Sequence, residues 1–341
     1  LVLDYYSLSG TNGAITKAVK AHGSVYVIQE KGFGILPINQ QVLMPSNEGD
    51  IVVRSGNVVS QMQYISNIYG SIHPDSVWVN NNYIGFVDAR MGKQMFFSQA
   101  GLAKMSEGNS LDDYITAKTL FNDRNEDIKA FLARAQNIVS VFDFEHGEVL
   151  TSLISYDNDS LCISYSLDES AYTQFCDYTP RQMFNIGRFL FSNVANRVNL
   201  NNYGKYGHFD GTYYKSVFRF IVNPNPTISK VFDNAKINVN KNGAKRVGKI
   251  LLRTQNEQHN LEIYNSGNLI DDRVEYFEND LSIVLHEEDI LGEKSRLRDH
   301  FLEFTVEINN GDQAIDGQDI RCTISNIDTI YRASLPNQYS M

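Results

Sequence analysis

The chain has 341 residues, of which 42% are apolar and 11% aromatic, and its formal net charge is −10. This suffices to bury two cores of ordinary domain size, or one large all-β body with an appendage. The charge argues against a phosphate-binding surface as the main purpose of the chain, and the absence of an eighteen-residue apolar run argues against a membrane span.

The N-terminus and the cysteines bear on where the protein is made. The first residues, LVLDYYSLSGTNG, lack the basic and apolar regions of a signal peptide. Because the chain begins with Leu1 rather than Met, we expect a fragment, either trimmed or released by cleavage of a longer polypeptide. Cys162, Cys176 and Cys322 are odd in number and widely spaced, which argues against a zinc site and predicts free thiols. Free thiols in turn predict assembly in a reducing cytoplasm. Cys162 and Cys176 fall in consecutive predicted strands and could face each other.

Four blocks of short strands are predicted within residues 21–210, because β-branched and aromatic residues cluster in short runs bounded by turn residues. In the second block, SVWVNNNYIGFVDARMGKQMFFSQAGLAKMS predicts a complete four-stranded meander over 76–106. The first block contains predicted strands 25–29 and 33–38, and the second contains 77–79, 83–87, 95–97 and 102–105. The third contains 138–144, 149–156, 161–166 and 171–178, and the fourth contains three shorter strands over 182–200.

The blocks repeat every 40–50 residues or so, a period and strand number that match a β-propeller blade. One meander cannot cover both of its faces, so such blades would stack around an axis. An ordinary antiparallel sandwich is the alternative, since WD, kelch and Asp-box signatures are absent. Residues 1–20, ahead of the blades, are expected to form an N-terminal arm.

A short helical insertion at about 108–137 is predicted to interrupt the β pattern. Ser110 lies three residues before Asp113, as at a capped helix start, and the spacing predicts helices near 111–120 and 125–136. The second helix has a one-sided apolar stripe formed by Ile128, Phe131, Leu132 and Ala135. Such a stripe is typical of a helix that packs on the body of its own protein, although an insertion between blades could also carry a subunit contact.

Residues 211–341 are predicted to form a β-sandwich-like C-terminal domain with seven or eight strands. Two segments, 301–308 and 320–327, are expected to be the arms of one hairpin. KNGAKRVGK, with Lys241, Lys245, Arg246 and Lys249, is expected to be a solvated hairpin or a contact with an acidic neighbouring subunit. The other predicted strands are 215–223, 230–240, 246–255, 259–266 and 273–285.

The sequence predicts no catalytic, cofactor-binding or metal site. A hydrolase would need two carboxylates at a cleft or a nucleophile with its base, whereas the carboxylates lie in predicted turns, where Asp is favoured by backbone hydrogen bonding. These carboxylates are Glu145, Asp157, Asp159, Asp168, Glu169, Asp312, Asp316 and Asp319. The histidines, which lack HxH and HExxH patterns, are at positions 22, 73, 146, 208, 259, 286 and 300.

Two segments come closest to a site. GHFDGTYY places His208 and Asp210 among tyrosines, as in a carbohydrate-binding platform or, more commonly, a packed inter-domain loop. NNGDQAIDGQD at 309–319 spaces three aspartates in a way that suggests calcium ligands. It does not match the DxDxDG loop, and an exposed hairpin tip explains it without a metal.

An ordered series of motifs resembles one known family. The longest is NIYGSIHPDSVWVNNNYIGFVDARMGKQMFFSQAGLAKMSEGN. It is followed by FDFEHGEVLTSLI, SLDESAYTQFCDYTPRQMFNIGRFLFS, FRFIVNPNPTISKVFDNAKI, RLRDHFLEFTVEI and RCTISNIDTIYRAS. Together these segments span most of residues 60–335, and they resemble the large tail proteins of crAss-like bacteriophages that infect gut Bacteroidales.

The resemblance implies a virion structural protein, not an enzyme: the muzzle or nozzle at the distal end of a short phage tail. It implies a propeller-like body, no cofactor, and a homo-oligomeric, hexameric ring around the DNA ejection channel. The implied partners are tail proteins such as the hub and an upstream N-terminal fragment of the same polypeptide, while DNA passes through the lumen without specific binding. The expected location is the virion, after assembly in the host cytoplasm.

Two other functions remain open. A receptor- or glycan-binding tail protein would need exposed aromatic side chains, for which Tyr203, Tyr206, Tyr213 and Tyr214 are the candidates. A propeller hydrolase is less favoured because paired carboxylates are not found. If the ring surrounds DNA, we expect net negative lumen-facing residues, and a lumen lined by the lysines of 241–249 would contradict this.

Overall fold

The computed structural model describes residues 7–38, 42–46, 49–53, 61–105, 135–155, 160–176, 178–194, 197–204, 207–209, 212–265, 268–269, 271–288, 294–308, 322 and 324–334. Within these ranges the protein is all-β, with antiparallel strands, two short 3₁₀ turns and a single helical turn at Lys241–Ala244. The chain divides into two compact units, Leu1–Tyr203 and Gly204–Met341.

The first unit contains four small antiparallel sheets. Sheet 1 comprises β1 (Ile15–Ala21), β2 (Ser24–Gln29), β3 (Phe33–Leu36) and β6 (Gln63–Ser66), and the chain between β3 and β6 forms a separate hairpin of β4 (Val42–Ser46) and β5 (Gly49–Val53). Sheet 2 comprises β7 (Trp78–Val79), β8 (Ile84–Asp88), β9 (Lys93–Ser98) and β10 (Gly101–Lys104). Sheet 3 comprises β11 (Ala135–Asp143), β12 (Glu148–Ser155), β13 (Leu161–Ser166) and β14 (Ala171–Cys176). Sheet 4 comprises β15 (Gln182–Ile186), β16 (Phe189–Val194) and β17 (Arg197–Leu200).

The meander predicted over 76–106 is confirmed, as are the four strands of sheet 3 and the three of sheet 4. The N-terminal arm and the helical insertion differ from the structure in the residues at which they end. Residues 15–20, placed in the N-terminal arm, lie in β1, because Val19 and its neighbours pair with β2 across a tight turn at Gly23. Most of the predicted helical insertion lies outside the described residues, but 135–137 belong to β11 and pair with the end of β12.

Consecutive sheets of the first unit pack face to face through apolar side chains. Sheet 2 packs on sheet 1 through a cluster that includes Phe33 and Phe86, and on sheet 3 through clusters that include Trp78 and Ile138. Met183 joins sheet 4 to sheet 3. Sheets 2 and 3 are therefore covered on both faces, and this explains why residues of their central strands are buried at almost every position instead of alternating between buried and exposed.

Trp78 shows how closely these sheets approach. The indole lies over Gly85, its cross-strand partner, and stacks on Phe142 of sheet 3 with ring centroids 6.0 Å apart. A Cβ atom at Gly85 would lie 2.1 Å from the indole. Glycine is required at this position by packing, because any side chain would occupy the space of the ring that joins the two sheets.

The second unit is built on two larger sheets. Sheet 5 has the order β20 (Ser216–Val222), β31 (Leu302–Ile308), β22 (Val247–Arg253) and β23 (Gln258–Glu262). Sheet 6 has the order β26 (Val274–Phe277), β27 (Asp280–Val284), β21 (Lys230–Val239) and β30 (Arg298–Asp299), and β32 (Ile324–Ala333) also pairs with β21. The described part of the unit also contains three two-stranded ribbons: β18 (His208–Phe209) with β19 (Thr212–Tyr213), β24 (Tyr264–Asn265) with β25 (Asn268–Leu269), and β28 (His286–Glu288) with β29 (Lys294–Arg296).

One hydrophobic core joins sheets 5 and 6. Phe232 and Ile237 of β21, Ile250 of β22 and Phe304 of β31 are almost completely buried in it. Each such side chain contributes about 1.5–3 kcal/mol when it leaves water. The second unit is thus a two-layer antiparallel structure, with nine described strands in its two sheets rather than seven or eight.

Three local predictions for this unit are wrong. The single strand over 273–285 is a hairpin of β26 and β27, because Glu278 and Asn279 both adopt positive φ angles and turn the chain. Segments 301–308 and 324–333 are not the arms of one hairpin, since the first pairs with β20 and β22 and the second with β21. KNGAKRVGK is a helical turn that leads from sheet 6 to sheet 5, not a hairpin.

Replacing Gly85 by Ala tests the packing between sheets 2 and 3. The added methyl group must displace the Trp78 indole, so we expect Gly85→Ala to lower the free energy of unfolding by about 1–3 kcal/mol. Gly10→Ala is the matched control, because a Cβ at Gly10 meets nothing within 4 Å, and we expect a change within about 0.5 kcal/mol. Urea denaturation measures both values, and equal effects would contradict the packing argument.

Candidate functional site

Asp143 organises a buried polar cluster at the turn between β11 and β12. Its Oδ2 atom accepts hydrogen bonds from Asn202 Nδ2 at 2.8 Å and lies 2.8 Å from His146 Nδ1, while Oδ1 accepts the backbone N–H of Glu145. Asp143 is buried, whereas His146 is exposed. Among the described residues, Asp143 is the polar contact of the His146 ring. The cluster ties the turn of sheet 3 to the end of sheet 4.

Asp88 forms a second buried cluster, at the turn between β8 and β9. Its carboxylate accepts the backbone N–H of Gly70 at 3.1 Å and a guanidinium N–H of Arg90 at 3.3 Å. Arg90 also donates to the backbone carbonyl oxygens of Glu30 and Ile68. Burial raises the pKa of Asp88, while these hydrogen bonds and the arginine charge oppose the shift. The cluster fastens sheet 2 to the β2–β3 turn and the segment after β6.

The carboxylates and histidines considered from the sequence do not converge within the described residues. Glu145, Asp168 and Glu169 are exposed at turns, and Asp157, Asp159, Asp312, Asp316 and Asp319 lie outside the described residues. His22 and His300 lie near backbone carbonyl oxygens at two separate turns. His259 lies in β23, near the carboxylate of Glu257. Burial lowers the pKa of His73, with Asp75 opposing the shift.

The remaining residues considered from the sequence lie in different places, and some are not described. His208 lies in β18, whereas Asp210, Tyr206 and the acidic segment 309–319 are not described. Of the basic group, Arg246 is buried and Lys245 is exposed, so the residues do not share one solvated face. Tyr203 is 83% exposed and Tyr214 is half-buried.

Cys162 and Cys176 are direct cross-strand partners on β13 and β14, so the two thiols do face each other. They are free, as is Cys322. The hydrogen bond with Cys176, together with burial, raises the pKa of Cys162. Burial raises the pKa of Cys322 to about 11 against the opposing charge of Arg246.

Within the described part of the chain, no three His, Cys, Asp or Glu side chains come together as a metal site would require. Likewise, no helix in those ranges has the length and apolar character needed to cross a membrane.

An exposed apolar surface lies on sheet 4, on the side away from sheet 3. We call it the aromatic face, and it consists of Phe184, Ile186, Phe189, Phe191, Val198 and Leu200, which the strand register places on one side of the sheet. The Phe184 and Phe191 rings stack with centroids 5.6 Å apart. Phe189 is 65% exposed and Ile186 is 60% exposed.

Sequence reasoning missed the aromatic face. The sequence signal was that QMFNIGRFLF has apolar residues at both odd and even positions, so that both sides of the strands are apolar, as in the strands of sheets 2 and 3. In those sheets both faces are covered, whereas here Met183 and Leu190 face sheet 3 and the opposite side is open.

Comparison with known proteins identifies the family. The profile of the Crassvirus muzzle protein matches residues 1–195, and that of the Crassvirus muzzle protein C-terminal domain matches residues 204–283. The chain belongs to the Crassvirus muzzle protein family. The resemblance drawn from the sequence motifs is confirmed. The second profile begins at Gly204, the residue at which the second structural unit begins. The family is one of structural proteins of crAss-like phages.

The remaining comparisons add little to this assignment. No curated protein matches the chain. A solved structure described as a glycoside hydrolase aligns over 92% of this chain and 83% of its own, with 11% identity and a TM-score of 0.21. A TM-score this low carries no argument about fold or activity.

The buried Asp88 carboxyl predicts a pH effect on stability. Because its folded-state pKa is raised, its favourable contribution is complete below the unfolded-state pKa of about 3.9 and is lost as the pH rises through the folded-state pKa. We expect the free energy of unfolding of the wild type, minus that of Asp88→Asn, to fall as the pH rises from about 4 to about 7. Asp168→Asn removes an exposed turn carboxyl and controls for the lost charge. Urea titrations giving the same pH profile for both variants would contradict the prediction.

The raised pKa values of two thiols predict that they are alkylated slowly in the native protein. Since Cys162 and Cys322 have raised pKa values, we expect both to react with iodoacetamide at pH 8 at least roughly tenfold more slowly in the native protein than after denaturation. Mass spectrometry of the labelled peptides measures the two rates. Equal rates in the two states would show that the native thiols are accessible and ionised.

Proposed function

We infer that the protein forms part of the distal muzzle ring of a short phage tail, around the channel through which DNA leaves. Membership of the muzzle family is the observation that carries this inference. The described side chains are consistent with it, because the polar clusters around Asp88 and Asp143 connect separate segments of the fold. Such a protein acts by holding its shape and binding its neighbours, not by catalysis.

The four sheets of the first unit are proposed to be consecutive blades of a propeller. Each is an antiparallel meander, and consecutive sheets pack face to face in chain order. The first strand of sheet 3, β11, contacts the first strands of sheets 2 and 4. Adjoining first strands are expected of blades arranged about a common axis, where the innermost strands come together.

The charge of the chain fits a DNA channel. Every lysine or arginine on a lumen would add a salt-sensitive phosphate contact and slow the passage of the duplex. An acidic or neutral wall repels DNA over a Debye length of about 8–10 Å at physiological salt. The net charge of −10 therefore favours a lumen that guides DNA without holding it. Other copies of the chain, the tail hub and a further fragment of the same polypeptide are the proposed partners.

Receptor or glycan binding is the second candidate function. Tyr203 supports it, because its ring is 83% exposed at the boundary between the two units, and exposed tyrosine provides a stacking surface for sugars and peptides. Under this alternative, Tyr203→Ala lowers phage adsorption to the host while leaving the number of assembled particles unchanged.

Imaging of virions tests the proposed function. We expect an antibody against this chain to label the distal tip of the tail, and averaged images of the tip to contain several copies in a closed ring. The assembled ring should also fail to retain duplex DNA on a filter at physiological salt. Antibody labelling of the capsid, or a compact monomer that cleaves polysaccharide, would overturn the inference.

A further inference from the structure

The two cysteines of sheet 3 form a matched pair. Cys162 of β13 is directly opposite Cys176 of β14 in an antiparallel register, so both side chains project from the same side of the sheet. Opposed residues of antiparallel strands have Cα atoms about 4.5–5.5 Å apart, which lies within the range of about 4.4–6.8 Å that a disulfide spans. A hydrogen bond already joins the two thiols. The two sulfur atoms can therefore be bonded with little movement of the backbone.

The two thiols differ in their access to solvent. Cys162 is completely buried, whereas Cys176 is half-buried and lies on the strand at the edge of sheet 3. Thiol–disulfide exchange begins with the attack of an accessible thiolate on a disulfide sulfur. A soluble oxidant can therefore react first with Cys176, and Cys162 is placed to react second.

The edge strand is the part of sheet 3 that a covalent bond would hold most usefully. Thr173, Gln174 and Phe175 of β14 are exposed, and an exposed edge opens locally more readily than a buried central strand. Cys176 is the last residue of β14, and its side chain packs against the apolar cluster that joins sheets 3 and 4. A bond from Cys176 to Cys162 would fasten the end of this strand to a buried neighbour.

We propose that Cys162 and Cys176 form a reversible cross-strand disulfide, which is open in a reducing cytoplasm and closes when the protein meets a disulfide oxidant such as glutathione disulfide. The Cys176 thiolate attacks one sulfur of the oxidant and releases one glutathione. Cys162 then attacks Cys176 Sγ and displaces the second glutathione. Two thiols are oxidised to one disulfide, one glutathione disulfide is reduced to two glutathiones, and the two thiol protons pass to them.

The bond has a predictable effect on stability. It closes a loop of about 15 residues, and a cross-link of that size restricts the unfolded chain enough to lower the unfolded-to-folded ratio by roughly a hundredfold. The protein would thus be more resistant to unfolding outside a reducing compartment than inside one. This property concerns the first unit by itself and does not depend on the proposed ring.

Peptide mapping of the native full-length chain tests the bond. The protein is incubated with glutathione disulfide at about pH 8, alkylated and digested with a glutamate-specific protease. Because Glu169 lies between the two cysteines, the digest separates them into two peptides that only a disulfide holds together. We expect mass spectrometry to detect this linked pair, and dithiothreitol to release it, while Cys322 stays outside the linkage.

Single variants separate the two steps of the exchange. Cys162→Ser should stop at a mixed disulfide between Cys176 and glutathione, because the second thiol is missing. Cys176→Ser should leave Cys162 reduced, because the accessible thiol is missing. Cys322→Ser is the matched control, and we expect it to form the linked pair as the wild type does. Circular dichroism verifies that each variant is folded.

Urea unfolding measures the stabilisation. Trp78 lies in the same unit as the pair, so its fluorescence follows the unfolding of that unit. We expect the oxidised wild type to unfold at a higher urea concentration than the reduced protein, with an unfolded-to-folded ratio roughly a hundredfold lower at the same urea concentration. Cys162→Ser should show no such gain after the same treatment.

Each alternative result contradicts the proposal. A mixed disulfide at Cys176 that never closes in the wild type would show that Cys162 cannot reach it. A linkage through Cys322, between two chains, or only in unfolded protein would show that the native register does not direct the reaction. An oxidised protein no more stable than the reduced one would show that the bond does not fasten β14.

Discussion

The first unit depends on the burial of apolar side chains between consecutive sheets. Each sheet has only three or four short strands, and a single small meander cannot remove enough apolar surface from water to be stable alone. Stacking supplies the missing burial: Phe86 and Phe33 lie between sheets 2 and 1, and Trp78 and Phe142 lie between sheets 2 and 3. The same requirement leaves the last sheet with one face that no described part of the unit covers.

The polar clusters act alongside this burial. Apolar faces bring sheets together but permit sliding, whereas Asp88 and Asp143 accept hydrogen bonds with defined partners from other segments. Those partners are the backbone N–H of Gly70 for Asp88 and the side-chain amide of Asn202 for Asp143. Asp88 and Asp143, which are not among the carboxylates considered from the sequence, thus help to set the relative position of neighbouring sheets. This is the chemistry expected of a protein that must keep its shape.

Much of the fold could be predicted because it depends on local signals. The strands of sheets 2, 3 and 4 are bounded by turn residues, and their hairpins connect neighbours in sequence, so the pattern along the chain is also the pattern in space. The second unit depends on distant pairing: β31 pairs with β20 and β22, and β32 pairs with β21. No local signal distinguishes that arrangement from a hairpin. The aromatic face was missed for a related reason, since apolar residues such as Phe189 look the same in sequence whether covered or open.

The position of Trp78 gives the protein a built-in optical reporter. It is the single tryptophan of the chain, it is 3% exposed, and its indole N–H has no hydrogen-bond partner among the residues that the structure describes. An indole held in apolar surroundings emits at shorter wavelength than one in water. Tryptophan emission therefore reports on the contact between sheets 2 and 3. A red shift that precedes the loss of circular dichroism would mark the moment when these sheets separate while their hairpins persist.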